Sequence, residues 1–243
     1  MEAGDGGDCF TRCANNNINE GRMGDRRRGK EDRGLVRKIS MGKVTFHITV
    51  SLDGYVAGPN DRPENSLGDG GERLFDWYFN GDTEVPIGDG ATPLKVSTKS
   101  AEFLKEAIQN HGAGVWGRRT FDLAKGWGGH PPVAPAFIVT HTIPQEWVQE
   151  GSPFTFVTEG VESAIYQAKQ AAGDKDVVVS TASLLQQCLR AGLMDEIYLS
   201  VVPVLLGGGV RLFDHLGPKP IELERLRVVA APGVTHLGFR VVK

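Results

Sequence analysis

The sequence predicts an α/β protein built on one mixed, mainly parallel β-sheet. Through residues 98–204, short apolar runs alternate with amphipathic helical stretches, which is typical of parallel strands joined by right-handed crossovers. Residues 44–52 alternate apolar and polar side chains, as a strand with one buried face does. The last two apolar runs, 223–230 and 234–242, flank a Pro-Gly turn and therefore predict antiparallel strands at the C-terminus.

Composition argues against several classes of protein. The chain has 243 residues, 40% hydrophobic and 23% charged, with a formal net charge of −3. No apolar run approaches the ~18–20 residues of a membrane helix, and the near-neutral charge argues against a dedicated nucleic-acid binder. Of three cysteines, Cys9 and Cys13 have no His or further Cys nearby, so neither a disulfide framework nor a metal site is predicted. Because the N-terminus lacks the apolar core of a signal peptide, we expect a cytoplasmic protein with neither a membrane nor a nucleic-acid partner.

The first 41 residues differ in composition from the rest. They hold nine basic and seven acidic side chains, many Gly and Asn residues and almost no periodic apolar positions, a composition that does not bury enough surface to fold. We therefore expect a disordered N-terminal extension over 1–41 and one folded domain over 42–243. Met41 directly precedes the first strand, which suits a leader or an over-extended gene prediction. A basic interaction arm at Arg26–Arg28 is the less favoured alternative.

Periodicity gives the elements in the first half of the folded domain. After the first strand, a loop rich in Gly, Pro and Asn extends from Gly54 to about Gly71. A helix predicted over 98–110 places its apolar residues on one face. The remaining predictions are a short helix over 72–80 and strands over 114–117 and 136–140.

The second half alternates in the same way. Apolar positions in 161–172 recur at helical spacing, and a helix over 182–191 ends before Gly192. Between them, 176–180 contains three successive valines, which predicts a buried strand. The other strands are predicted over 154–157, 196–204, 223–230 and 234–242.

Polar and glycine residues follow three of the predicted strands at the point where each strand ends. Open α/β sheets bind ligands at this edge, where helix N-termini offer free N–H groups and a positive dipole end. Taken singly, the segments have plain alternatives: a capped helix with solvated arginines, a strand exit, and a simple N-cap. Taken together, they predict a phosphate-rich ligand lying across several strand ends. The segments are Gly117-Arg118-Arg119-Thr120, Thr140-His141 and Ser180-Thr181-Ala182-Ser183-Leu184.

Five motifs give the chain a resemblance to a known superfamily. Three are similar to those of the dihydrofolate-reductase-like superfamily: Ser51-Leu52-Asp53-Gly54-Tyr55-Val56-Ala57, Gly117-Arg118-Arg119-Thr120 and Val139-Thr140-His141. Two narrow the resemblance to the branch related to the reductase (RibD C-terminal) domain of riboflavin biosynthesis: Asp195-Glu196-Ile197 and the run from Pro203 to Phe213. Each motif alone is weak, but their order is specific, and the resemblance covers about residues 41–243.

The resemblance implies a three-layer fold around a mixed sheet that binds NADPH. Val56 and Ala57 would approach the nicotinamide through backbone atoms, and Thr140 and His141 would lie by the adenosine 2′-phosphate. Residues 180–184 would wrap the pyrophosphate, although this chain begins that segment with Ser-Thr-Ala where the family usually has Gly-Gly-Ala. The cofactor phosphates would be held by Gly117, Arg118, Arg119 and Thr120.

Two carboxylates are candidate proton donors to the substrate. Dihydrofolate reductases use an acid on the first helix that faces the pocket, and the helix over 72–80 offers Asp76. Asp53, at the end of the first strand, is the second candidate. The alternatives are a surface carboxylate for Asp76 and a turn residue before Gly54 for Asp53.

The resemblance implies an NADPH-dependent reductase that transfers a hydride to a small heterocyclic (pteridine- or pyrimidine-like) or carbonyl substrate. The chain has no H-x-E…P-C-x-x-C zinc motif of a nucleotide deaminase, so we do not expect the bifunctional riboflavin enzyme. The alternative is a non-catalytic ligand-binding or dimerising module of the same fold, in which the Ser-Thr pair has cost the cofactor site. The apolar strand over 197–206 and the alternating C-terminal strand leave a sheet edge to cover, so we expect a homodimer.

Overall fold

The computed structural model describes residues 41–87 and 93–243. The expected N-terminal extension, apart from Met41, lies outside the described residues. No helix in the described part of the chain is long and apolar enough to cross a membrane. The α-helices are α1 (Thr98–Gln109), α2 (Arg118–Leu123), α3 (Val161–Ala172) and α4 (Ala182–Arg190), and the 3-10 helices are η1 (Gly71–Phe79), η2 (Lys125–Gly129) and η3 (Gln145–Trp147).

One eight-stranded sheet organises the fold, in the order β11-β12-β9-β1-β8-β5-β6-β7. The strands from β9 to β7 pair in parallel, whereas β12 and β11 are antiparallel. The predicted α/β class, with its mainly parallel sheet and antiparallel C-terminal strands, is therefore confirmed. Two small antiparallel pairs, β2–β10 and β3–β4, accompany the main sheet. The strands are β1 (Val44–Ser51), β2 (Tyr55–Ala57), β3 (Thr83–Val85), β4 (Leu94–Val96), β5 (His111–Gly117), β6 (Ala136–Val139), β7 (Phe154–Val157), β8 (Asp176–Ser180), β9 (Glu196–Val202), β10 (Val210–Arg211), β11 (Leu223–Ala231) and β12 (Val234–Val241).

One face of the sheet packs its apolar side chains against α3 and α4. Phe46 of β1 and Val179 of β8 are neighbours in the parallel register and are fully buried. Ile165 from α3 and Leu185 and Cys188 from α4 complete this core. Helix α4 begins directly after the end of β8.

The opposite face carries two separate apolar clusters. The η1 cluster joins η1, the β3–β4 hairpin and α1, and it contains Leu74, Trp77, Val96 and Ala101. The aromatic cluster lies over β5, β6 and β7, and it contains Trp116, Phe121, Ile138 and Phe154.

Between the two clusters the central strands present polar side chains. Thr45 and Thr49 of β1 are almost completely buried, and His47 lies between them on the same face because side chains alternate along a strand. Thr45 pairs with Val178 in the register of β1 and β8, so Ser180, two residues further along β8, also lies on this face. We call Thr45, His47, Thr49 and Ser180 the polar floor.

Several short elements were not predicted from the sequence. The β2–β10 pair, the β3–β4 hairpin and α2 contain six residues or fewer per element, too few to show a periodicity. The helix predicted over 72–80 is a 3-10 helix, with three residues per turn instead of 3.6. That difference changes which side chains η1 buries.

Candidate active site

A cavity of about 790 Å³ opens at the carboxyl ends of the parallel strands. Open α/β sheets bind ligands at this edge. The structure brings together there every residue predicted to bind the cofactor, although their binding role remains a prediction. They are Val56, Ala57, Gly117, Arg118, Arg119, Thr120, Thr140, His141, Ser180, Thr181, Ala182, Ser183 and Leu184.

Two helix N-termini begin at this cavity. Helix α2 follows Gly117 at the end of β5, and α4 follows Thr181 at the end of β8. Because β5 and β8 are neighbours, the unpaired N–H groups of both first turns lie at one edge of the sheet. Thr181 Oγ1 accepts the N–H of Leu184 at 3.3 Å, and this cap fixes the start of α4.

Arg118 is held in place but keeps hydrogen-bond donors free. Its Nε donates to Asp122 Oδ1 at 2.7 Å and its Nη1 to the Thr142 carbonyl at 2.8 Å. A guanidinium has five N–H donors, so three remain for a ligand. Thr140 Oγ1 also donates to the Thr142 carbonyl, at 2.8 Å, and this tight turn brings Arg118 to the segment that contains His141.

Arg119 is tied to the opposite wall of the cavity. Its Nη2 lies 2.8 Å from Asp61 Oδ2 and also donates to the Asp61 carbonyl at 2.7 Å. The side chain is two-thirds exposed, so this ion pair contributes little to stability. An anionic ligand can therefore compete for Arg119 at small cost, even though Asp61 places one negative charge in the lining.

A second cavity, of about 180 Å³, lies over the polar floor between the two clusters. Ser180 lines both cavities, so the end of β8 separates them. His47, His111 and Trp116 also line the smaller cavity. Sequence reasoning missed this site because its residues come from elements far apart in the chain.

The two histidines of the smaller cavity are neutral at pH 7. The His47 ring stacks on Tyr198 with centroids 4.6 Å apart and meets the His111 ring edge-on at 5.0 Å. Burial, and secondarily the neighbouring His111, lowers the pKa of His47 to about 3. Burial lowers the pKa of His111 to about 4, with Asp176 opposing the shift.

Four buried polar atoms on this side of the sheet have no hydrogen-bond partner within the described residues. They are Thr45 Oγ1, Thr49 Oγ1, Trp77 Nε1 and His111 Nε2. Native proteins pair nearly all such atoms with protein or with water. Two of the four belong to the polar floor and a third to His111, which lines the smaller cavity. Their presence indicates that water or a polar ligand completes this region.

Comparison with known protein families shows which family the chain belongs to. A family model described as the RibD C-terminal domain matches residues 42–237. The chain belongs to the RibD C-terminal domain family. The resemblance to the riboflavin-biosynthesis branch is thereby confirmed.

Individual relatives of this RibD C-terminal domain protein are distant. Uncharacterized protein YwjB of Bacillus subtilis is 24% identical over 188 residues, which cover 72% of this chain and 84% of YwjB. A protein of Shewanella sp. PV-4, provisionally described as a riboflavin biosynthesis protein, has a TM-score of 0.59 at 21% identity, covering 83% of this chain and 99% of its own. At this identity the likeness shows the fold.

A third relative is longer than this chain. The Thermotoga maritima diaminohydroxyphosphoribosylaminopyrimidine deaminase/5-amino-6-(5-phosphoribosylamino)uracil reductase has a TM-score of 0.50 at 11% identity. The alignment covers 83% of this chain but only 57% of that enzyme. The shared part is therefore one portion of a larger protein.

Thr181 keeps a backbone conformation that favours glycine. Its φ of 154° and ψ of 146° lie near a region that is almost exclusive to glycine and costs ~1–3 kcal/mol for other residues. A Cβ built on Gly117 would lie 3.5 Å from Thr181 Oγ1, so the Thr181 side chain lies close against the start of α2. Thr181 therefore holds a glycine-like backbone conformation with a threonine side chain.

Replacing Thr181 with glycine is expected to stabilise the protein by about 1 kcal/mol. Relief of the strained φ should stabilise the folded state by ~1–3 kcal/mol. Loss of the N-cap should cost a few tenths of a kcal/mol, and the greater freedom of the unfolded chain should cost ~0.4–1 kcal/mol. Urea unfolding measures the difference. Ser180→Gly is the matched control, because Ser180 has no positive φ to relieve, and that variant should be destabilised. A Thr181→Gly protein less stable than Ser180→Gly would contradict the strain.

The structure places Asp53 outside both cavities. Its carboxylate accepts the Ser51 hydroxyl at 2.6 Å and the backbone N–H groups of Leu206 and Gly207 at 3.1 and 2.7 Å. These hydrogen bonds, and chiefly the one from the Ser51 hydroxyl, lower the pKa of Asp53 to about 2. An ionised carboxylate has no proton to give, so the expected role of proton donor is not supported. Asp53 instead positions the loop that leads into β10, which pairs with the cavity wall at Ala57.

Asp76 also departs from the expected placement. In a 3-10 helix, residues three apart share a face, so Leu74 and Trp77 are buried while Arg73 and Asp76 face outward. Asp76 Oδ2 accepts Arg73 Nε at 2.8 Å, and its side chain is 63% exposed. It lines neither cavity, so the expectation of an acid facing the pocket is not met.

Proposed function

We propose that the protein is an NADPH-dependent reductase that transfers a hydride to a small heterocyclic, pteridine- or pyrimidine-like, or carbonyl substrate. The observation that carries this proposal is the convergence of all the phosphate-suited strand ends on one cavity of about 790 Å³. Cavities of this size commonly hold small-molecule ligands and cofactors. The name of the T. maritima relative, a uracil-derivative reductase, supports the same class of reaction.

The donors around the larger cavity fit a dinucleotide with several phosphates. The first turns of α2 and α4 supply backbone N–H groups, which bind phosphate well. Arg118 and Arg119 supply positive charge, and the hydroxyls of Thr120 and Ser183 add further donors. When bound, NADPH supplies the hydride, and these residues hold and orient the cofactor.

The smaller cavity is the proposed place of the substrate. It meets the larger cavity at Ser180, so a ring seated over the polar floor would lie next to the cofactor cavity. His47 and His111 stay neutral at pH 7 and therefore bind a substrate by hydrogen bonds without acting as strong acids. Because Asp53 and Asp76 lie outside the cavities, we assign the proton that accompanies the hydride to water.

A non-catalytic binding module remains the second candidate, because the Thr181 side chain stands at the start of α4 where the family usually has glycine. It would crowd a pyrophosphate and weaken NADPH and NADH equally. Isothermal titration with both nucleotides tests the two candidates. NADPH binding supports the reductase, and no binding of either nucleotide favours the module.

Arg118→Ala should remove most of the preference for NADPH over NADH. The two cofactors differ only by the 2′-phosphate, and hydrogen bonds to charged groups contribute ~1.5–3 kcal/mol, which predicts roughly a ten- to hundredfold preference. NADH affinity should change little. Arg190→Ala is the matched control, because Arg190 also donates to a backbone carbonyl, that of His215, but lines neither cavity. Equal affinities for the two nucleotides in the unaltered protein would reject this role of Arg118.

We also propose that the protein is a homodimer. β11 is an edge strand, and its Leu226 and Val228 side chains are 37% and 52% exposed. Exposed apolar edge strands invite pairing with another chain. Sedimentation equilibrium at micromolar concentration should give twice the monomer mass, and a monomer there would overturn the proposal.

A further inference from the structure

The ion pair between Asp61 and Arg119 points to a way in which ligand binding at the larger cavity is regulated, an inference that rests on the proposed binding of phosphate groups there. We propose that this ion pair is a latch. In the ligand-free protein it ties residues 59–69, which we call the cavity loop, to α2, and a polyphosphate ligand opens it by taking Arg119. Asp61 is then a built-in competitor of the ligand.

The latch consists of three contacts made by one guanidinium group. Arg119 Nε donates to Asp61 Oδ2 at 3.0 Å, while Nη2 lies 2.8 Å from the same oxygen and donates to the Asp61 carbonyl at 2.7 Å. The two residues are 58 positions apart in the chain, and both line the larger cavity. The Asp61 side chain is only 18% exposed, so its carboxylate is partly shielded from the water that would otherwise replace Arg119.

The cavity loop holds its shape by contacts of its own. The Asp69 carboxylate accepts the side-chain amides of Asn60 and Asn65 at 2.6 and 2.9 Å. Arg62 and Asn65 exchange backbone hydrogen bonds of 3.1 and 2.8 Å. These bonds join residues of the loop to one another, so the loop keeps its conformation without help from α2.

The two ends of the cavity loop are packed against each other. The Gly58 N–H donates to the Leu67 carbonyl at 2.8 Å, and the Asp69 N–H donates to the Pro59 carbonyl at 2.7 Å. A Cβ on Gly58 would clash with the Asp69 carbonyl oxygen, so this close approach requires glycine. The segment is therefore closed on itself, as compact surface loops are.

The contacts of Asp61 are the polar link between this closed loop and α2. Among the described residues, every side-chain hydrogen bond and ion pair of the cavity loop joins two loop residues, except those between Asp61 and Arg119. Breaking this one link frees the loop to shift as a unit, with the change in backbone angles confined to its ends.

A polyphosphate and Asp61 compete for the same cation. A phosphate bound to Arg119 would lie beside the Asp61 carboxylate unless the latch opened, and like charges at contact distance repel each other. The ion pair is a weak opponent, because Arg119 is two-thirds exposed and exposed pairs contribute little. A ligand with two phosphates forms charge-assisted bonds to the guanidinium and also reaches the helix starts. It therefore opens the latch, at a cost to its affinity that an uncharged residue 61 would remove.

Asp61→Asn should bind inorganic pyrophosphate roughly two- to fivefold more tightly than the unaltered protein, the factor that an exposed ion pair supplies. Isothermal titration of the full chain in 0.15 M salt measures the affinity. Glu64→Gln is the matched control, because it removes the same charge from the same loop. Glu64 is 77% exposed, pairs only with Arg62 and does not line the cavity, and salt screens its charge. Equal effects of the two substitutions would show that net charge alone matters and would overturn the latch.

A double-mutant cycle with Arg119→Ala separates a latch from plain repulsion. Arg119→Ala alone should weaken pyrophosphate binding. In that background Asp61→Asn should give a clearly smaller gain than in the unaltered protein, because no guanidinium is left to be released. The same gain in both backgrounds would mean that Asp61 only repels the ligand, and the latch would be rejected.

Titration of the same variants with NADPH keeps this inference distinguishable from the proposed function. NADPH binding without a gain in Asp61→Asn overturns the latch and leaves the reductase standing. A gain for pyrophosphate without any binding of NADPH overturns the reductase and leaves a latched polyphosphate site. Failure of pyrophosphate to bind to both the unaltered protein and Asp61→Asn also overturns the latch.

Discussion

Replacing Phe121 with alanine should destabilise the protein by about 3–5 kcal/mol, the usual cost of truncating a buried phenylalanine. Phe121 is 1% exposed and lies at the centre of the aromatic cluster. Its ring meets those of Trp147 and Phe154 edge-on, with centroids 5.2 Å apart. Phe121 is the only buried residue of α2, so no other side chain of this helix can replace its packing.

Phe121→Ala should also weaken NADPH binding by more than the unfolded fraction of the variant explains. Helix α2 has six residues, too few to persist without packing, and its first turn contains Arg118, Arg119 and Thr120. Urea unfolding and titration at a temperature where the variant is folded measure the two effects separately. Phe79→Ala is the control, because Phe79 is 70% exposed. A loss of stability below 1 kcal/mol in Phe121→Ala would contradict the packing role.

Acidification should destabilise the protein from about pH 6.5 downward, above the ordinary pKa range of carboxylates. His236 is fully buried, with Nδ1 2.9 Å from Ser200 Oγ and Nε2 2.9 Å from Ser100 Oγ. Burial, with a smaller effect of Arg227, lowers the pKa of His236 from 6.5 to about 4. The unfolded chain therefore binds a proton that the folded chain does not, and stability falls as the pH drops from 6.5 toward 4.

The expected loss is about 3 kcal/mol from His236 alone, at about 1.4 kcal/mol per pH unit of displacement. His47 and His111 act in the same direction, because their pKa values are also lowered, to about 3 and 4. Asp53 does not contribute in this window, because its pKa of about 2 keeps it ionised above pH 4.

Urea unfolding at pH 7 and pH 4.5 measures the effect of acid. His236→Gln should be less stable at pH 7, because it disturbs the hydrogen bonds to Ser100 and Ser200, but its stability should depend less on pH. His130→Gln, at an exposed position, should keep the pH dependence of the unaltered protein. A pH dependence in His236→Gln as steep as in the unaltered protein would show that His236 is not the group responsible.

The sequence predicted the elements whose side chains follow a strong period. The bounds of α3 and β8 agree with the prediction to the residue. The apolar positions of α3 recur at helical spacing, and β8 is a short continuous apolar run between polar ends. The residues that line the larger cavity were predicted to lie together for a related reason. They directly follow strands, and parallel strands end at one edge of a sheet.

The placement of Asp76 and the smaller cavity depend on three-dimensional geometry that sequence periodicity does not encode. Asp76 was expected to face the pocket because dihydrofolate reductases use an acid on their first helix, but in the 3-10 helix η1 its side chain lies on the exposed face. The smaller cavity combines His47, His111 and Ser180, which only the strand order brings together. One indication was present in the sequence: the central strand of a three-layer fold is covered on both faces, so polar residues at 45, 47 and 49 require partners.

The position of Ser180 between the two cavities has a thermodynamic consequence. Ser180 lines both cavities, so a shift of this residue when a ligand binds in one cavity changes the wall of the other. If nucleotide binding raises the affinity for a ring ligand by some factor, the ring ligand must raise the affinity for the nucleotide by the same factor. Reciprocal titrations therefore have to agree, and the size of that common factor reports how strongly one residue of β8 couples the two halves of the site.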